Sequence, residues 1–126
     1  MMYKRKELHE ELCLLSVSPR VLDIENVVVS DRNAAVSGVF FGTDDDVLGM
    51  LDYDEVHAVS WNHDDYYRKL AHRQTMQAEV LVPGSIAPEY IQRVYVSCQA
   101  SKDLYELSYP NVEFVLKPSL FFQAAP

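Results

Sequence analysis

Gln74-Thr75-Met76-Gln77-Ala78-Glu79-Val80-Leu81-Val82 is the stretch on which the fold turns. Its apolar second half and the Pro83-Gly84 pair that ends it predict a strand over residues 74–82. Strand side chains alternate between faces. Met76, Ala78, Val80 and Val82 therefore share one apolar face, and Gln77, Glu79 and Leu81 share the other. A carboxylate two residues from a carboxamide, between apolar neighbours, has two readings. It faces water on a half-exposed sheet, or it lines a cleft where it has a partner or a task. Spacing alone leaves both open.

Just upstream, Trp61, Tyr66, Tyr67, Arg68, Lys69, His72 and Arg73 gather aromatic and basic side chains. Aromatic rings stack on splayed bases, and Arg or Lys hold phosphates. Residues 62–73 read as a helix or a long loop. One reading makes this a segment that stacks bases and holds phosphates. The other makes it an amphipathic helix that buries Tyr67, Leu70 and Ala71.

Further out, the apolar run Leu12–Val17 predicts a buried strand ended by Ser18-Pro19, and Val27-Val28-Val29 a second one. Ser30 to Asn33 reads as a turn able to cap a short helix through Ala34-Ala35, and Val39–Phe41 as the end of that helix or a short strand. Thr43–Asp46 caps a helix near 47–51, and Asp52–Glu55 opens another short turn. Pro88–Ile91 is a helical turn, Arg93–Ser97 a strand, Ser101–Leu107 a helix capped by its Ser, and Val112–Leu116 a last strand. At least four strands with interspersed short helices predict an α+β fold.

The whole chain, 126 residues with 48% hydrophobic and 24% charged, has the size and balance of a single globular domain. A net charge of −8 argues against a protein whose entire surface binds nucleic acid, while leaving room for a local basic track. Cys13 and Cys98 lie in apolar runs without metal-ligand spacing, so two reduced core thiols in a cytoplasmic protein are expected. No apolar run approaches the ~20 residues a membrane span requires.

Four segments carry a resemblance. Met2-Tyr3 resembles the end of a Pro-Met-Leu-Tyr motif, and Val29 to Ala35 resembles a Thr-Asp-Gly-Asn-Ala-Ala segment. Leu51 to Val56 resembles a Leu-Asp-Trp motif, and Gln77 to Val82 resembles Gln-Ala-Glu-Phe-Leu-Val. Together, in this order and spacing, they resemble the C-terminal half of DarT, the family of DNA ADP-ribosyltransferase toxins in DarTG toxin–antitoxin systems.

The resemblance implies a split β-sheet that grips NAD as a substrate, with no metal. It implies that Glu79 is catalytic: it hydrogen-bonds the nicotinamide-ribose hydroxyl and stabilises an oxocarbenium-like transition state. It also implies that Gln77 orients the acceptor, a thymine or guanine in single-stranded DNA, and that a macrodomain-containing antitoxin is a partner. The family's N-terminal half, with its NAD-binding His motif and cofactor-contacting Arg, has no counterpart in this sequence. Arg5, Arg20 and Arg32 match no motif for those roles, so this chain alone is expected to be inactive. Two other readings stay open. One is a non-catalytic DNA- or antitoxin-binding module of the same fold. The other is a plain interaction domain in which Gln-x-Glu is incidental.

Overall fold

The computed structural model describes residues 2–58 and 60–121, without the side chains of residues 2–6 and Asp44. Six strands and four α-helices are present among the described residues. The strands are β1 (Leu14–Val17), β2 (Val28–Ser30), β3 (Phe41–Gly42), β4 (Glu79–Leu81), β5 (Ile91–Val96) and β6 (Phe114–Leu116). The helices are α1 (Asp44–Leu48), α2 (Tyr53–Val56), α3 (Tyr66–Thr75) and α4 (Gln99–Ser108). The described fold is α+β, built on two three-stranded sheets. Each sheet belongs to its own compact unit. One unit comprises Met1–Pro19 with Ala87–Pro126, and the other is the intervening Arg20–Ile86.

The first unit has the order β1-β5-β6. β1 runs antiparallel to β5, with Leu15 opposite Val94, and the backbone N–H of Ser18 donates to the Tyr90 carbonyl at 2.7 Å. β6 runs parallel to β5, which requires a crossover, and α4 supplies it. Val94, Val96 and Phe114 form the buried cluster, with Tyr105 of α4 stacked on Phe114 at 5.9 Å between ring centres. Alternation places Val94 and Val96 on one face of β5, and that face is the core side. A 3-10 segment, Met2–Glu11, precedes β1 and is tied down where Ser101 donates to the Glu10 carbonyl at 2.8 Å.

The second unit has the order β3-β2-β4, all antiparallel. Val29, at the centre, is 1% exposed, and Val47 of α1 is fully buried. Gly42 permits β3 a close approach to α1: a Cβ there would lie 2.9 Å from Val47 Cγ2.

Several expectations are corrected. The strand foreseen over residues 74–82 is confined to Glu79–Leu81, because α3 continues through Gln74 and Thr75. Its side-chain-capped start and its run of good helix formers carry the helix that far. No helix follows Ser30–Asn33; Asn33 to Val36 closes as a turn. The cap of α4 is Cys98 rather than Ser101, which is buried inside the helix. Cys13 is exposed and Cys98 half-buried, so neither is a core thiol. The Cys98 Sγ lies 3.1 Å from the Ser101 hydroxyl; that bond and the Ser101 backbone N–H hold its pKa below the usual thiol value. No described helix is long and apolar enough to cross a membrane.

Candidate functional site

Glu79 opens β4, an edge strand, opposite Ser30 of β2. Its side chain is exposed, and one carboxylate oxygen, Oε2, accepts the backbone N–H of Ala34 at 3.0 Å. The other oxygen, Oε1, bonds to no described residue. The carboxylate is thus held at one corner and open at the other.

The partner that holds it comes from the β2–β3 connection, residues 31–40. Asp31 closes the neck of this loop. Its carboxylate accepts the Phe40 backbone N–H at 2.9 Å, and its own N–H donates to the Phe40 carbonyl at 3.2 Å. Arg32 pairs with Asp31 at 3.1 Å and donates to the Gln74 side chain of α3 at 3.2 Å. Burial acts to raise the Asp31 pKa, but the Phe40 N–H and the Arg32 guanidinium outweigh it and hold the carboxyl below its ordinary value. Within the loop, the Asn33 carbonyl accepts from Val36 N–H at 3.2 Å and the Asn33 side chain from Ala35 N–H at 2.8 Å.

Gln77 does not share a strand face with Glu79. It lies in the turn between α3 and β4, exposed, with its N–H bonded to the Gln74 carbonyl at 3.0 Å. The shared face drawn from period-two alternation is therefore withdrawn. Two residues still separate Gln77 from Glu79, but across a turn.

α3 decides the reading of residues 61–73. Asp65 caps it by accepting Arg68 N–H at 2.7 Å. The stripe expected to be buried is not: Tyr67 is 77% exposed, and Leu70 and Ala71 are also exposed, as is Tyr66 beside them. Tyr66 and Tyr67 meet edge to face at 5.6 Å, leaving ring surface open to solvent. Arg73 is exposed and has no ion pair to a described residue. Arg68 is committed to Glu55 at 2.9 Å, while Lys69 and Trp61 are half-buried.

His72 is the buried member of the helix, at 5% exposure. Its Nε2 donates to the Glu55 carbonyl at 3.0 Å, and its Nδ1 lies 2.8 Å from His63 Nε2. A carbonyl can only accept, so His72 is protonated on Nε2 and, when neutral, accepts from His63 through Nδ1. Both ring nitrogens of His72 thus have partners inside the fold, which leaves neither free for a DNA contact.

Sequence reasoning missed Ala34, Ser30 and Asp31. The signal was the turn composition of Ser30-Asp31-Arg32-Asn33, which marks a structured loop without saying which amide it presents. No cluster of His, Cys, Asp and Glu able to hold a metal occurs among the described residues.

A search of the curated proteins found no match for this chain. Among solved structures, Thermosipho africanus DarTG in complex with ADP-ribose superposes with a TM-score of 0.80 and 20% identity, covering 97% of this chain and 33% of that one. Thermus sp. 2.9 DarT in complex with NAD+ gives 0.67 and 19% identity over 85% of this chain and 56% of that one. The same protein in complex with ADP-ribosylated ssDNA gives 0.67 and 19% over 85% and 53%. The chain thus spans between a third and somewhat over half the length of these proteins. A family model described as "ssDNA thymidine ADP-ribosyltransferase, DarT" matches residues 1–122, and by that match the chain belongs to the DarT family.

Proposed function

We propose that the protein to which these residues belong transfers ADP-ribose from NAD to thymine in single-stranded DNA, as the toxin of a toxin–antitoxin pair, with Glu79 as its catalytic carboxylate. One observation carries this reading: Glu79 is fixed at Oε2 by a backbone amide, and its Oε1 bonds to no described residue. A carboxylate in that state fits a ribose hydroxyl, which donates to the free oxygen. NAD, as substrate, supplies the ADP-ribosyl group and a good leaving group, nicotinamide. The ribose–nicotinamide bond breaks, a bond to the thymine ring nitrogen forms, and that nitrogen's proton passes to water. Glu79 then places negative charge where positive charge develops as the bond to nicotinamide lengthens, and its hold by Ala34 means little reorganisation at that moment.

The acceptor strand falls to α3 and the turn after it. Tyr66 and Tyr67 offer exposed rings for base stacking and Arg73 an uncommitted cation for a phosphate, while Gln77 stands at the turn two residues before Glu79. Arg68, Lys69 and Trp61 flank this face; the Glu55 partner reduces what Arg68 can give a phosphate. Family membership supports the toxin role in the cytoplasm and a macrodomain-containing antitoxin as partner.

The test is transfer of labelled ADP-ribose from NAD to single-stranded oligonucleotides by the full-length protein. Glu79→Gln keeps the side chain's shape and removes its charge. Losing a preorganised electrostatic group of this kind costs on the order of 100–1,000-fold in kcat, while the thermal midpoint should hardly move. A Glu79→Gln protein as fast as wild type sinks the reading. Label on guanine oligonucleotides and none on thymine overturns the choice of base alone.

A further inference from the structure

We propose that Ser30 is a positioning residue for Glu79: its buried hydroxyl sets the turn whose Ala34 N–H holds the carboxylate. Ser30 is 0% exposed and faces Glu79 across the β2–β4 ladder. Its Oγ lies 2.7 Å from the Arg32 carbonyl and 3.5 Å from the Glu79 carbonyl. A hydroxyl has one proton to give, and the shorter contact takes it. The bond to Arg32 fixes that carbonyl, and peptide planarity then fixes the direction of the amide that follows.

From that plane the chain enters the Asn33–Val36 turn, which uses the Val36 N–H for its backbone closure and the Ala35 N–H for the Asn33 side chain. The turn leaves the Ala34 N–H unused, and this is the donor that Glu79 Oε2 accepts. Ser30 therefore acts on the carboxylate through two peptides, without touching substrate. For this exposed glutamate, with three rotatable bonds, the Ala34 N–H is the one side-chain hydrogen bond among the described residues. A reacting group displaced by about 1 Å loses on the order of 100-fold in rate, so the pin bears on turnover.

The inference rests on the proposed catalytic role of Glu79, and the first arm of its test does not. In that arm the exchange of the Ala34 amide is followed by NMR in this chain, comparing wild type with Ser30→Ala, Ser30→Thr and Glu79→Ala. Protection at Ala34 should fall at least tenfold in Ser30→Ala and Glu79→Ala and persist in Ser30→Thr, with the Val29 amide unchanged throughout. Wild-type protection at Ala34 in Ser30→Ala overturns the pin, and so does a loss shared equally by Val29, which would mark general loosening.

The second arm measures NAD-dependent transfer by the full-length protein. Ser30→Ala should lower kcat by roughly 10- to 100-fold at unchanged KM for the oligonucleotide, and Ser30→Thr should restore it. A kcat equal to wild type in Ser30→Ala, with Ala34 deprotected, overturns the positioning role. If Glu79→Gln is fully active, the functional reading fails by itself, and the exchange data still decide whether Ser30 governs the Ala34–Glu79 contact.

Discussion

Three side chains in the second unit have consequences that a single substitution can expose. Asp31 is held below its ordinary pKa by the Phe40 N–H and Arg32. A depressed carboxyl contributes stability that is complete above its unfolded value near ~4 and is lost as pH falls through the lower folded value. We expect Asp31→Ala to cost about 1–3 kcal/mol at pH 7. In urea melts the gap between variant and wild type should narrow below about pH 4, and a gap of equal size at pH 3 contradicts the assignment. The two arginines of α3 make a second contrast. Arg73 is exposed and pairs with no described residue, whereas Arg68 is paired with Glu55. In fluorescence anisotropy with a labelled oligonucleotide, Arg73→Ala should flatten the log–log salt slope by about 0.7, and Arg68→Ala by less. Equal slopes for Arg73→Ala and wild type remove α3 from the DNA surface. Glu79 was singled out in the sequence by the family resemblance, since spacing alone left its role open. Its holder was not, because Ala34 contributes a backbone N–H, a group every residue but proline carries.

Among the elements, β3 makes a close approach that one glycine permits. Gly42 lets it lie against α1, where Val47 is fully buried and β-branched and so cannot swing aside. Gly42→Ala should destabilise by about 1–3 kcal/mol through overpacking, read as a lower urea midpoint at unchanged slope. An unchanged midpoint means the contact relaxes freely. Asp65→Ala removes the side-chain cap of α3 and should cost about 1 kcal/mol. The helix expected near 47–51 lies at Asp44–Leu48, and the turn expected from Asp52 is the helix α2. An apolar run located β1 and β-branched residues located β2 and β5, so these strands were legible. The boundary between α3 and β4 was not. Gln74, Thr75 and Met76 have no strong preference against either state, so local composition there does not choose between extending the capped helix and starting the strand. That error put Gln77 on a strand face it does not occupy.

At the scale of the molecule, a net charge of −8 makes the exposed Arg73 a local exception rather than part of a basic surface. The split into two units was not legible, because it depends on which strands pair, and strands distant in sequence leave no local signature. The pairing that defines the first unit joins Val17 to Ile91, with the whole Arg20–Ile86 unit between them. This arrangement governs the order of events during folding. Closing an unstructured connector of that length carries a length-dependent entropy of roughly 4 kcal/mol before β1 and β5 gain a single contact. If the inserted unit collapses first, most of that entropy is already spent when Ser18 meets Tyr90. Formation of the β1–β5 ladder should therefore trail the β2–β4 ladder, and pulse-labelled hydrogen exchange would show amides of Val29 and Val80 protected before those of Leu15 and Val94. The reverse order would mean that the outer sheet nucleates alone. A substitution that slows only the insert, Gly42→Ala among them, would then delay a sheet it does not touch, and a chain released from the ribosome would have the edges of β5 unpaired for longer and open to other chains.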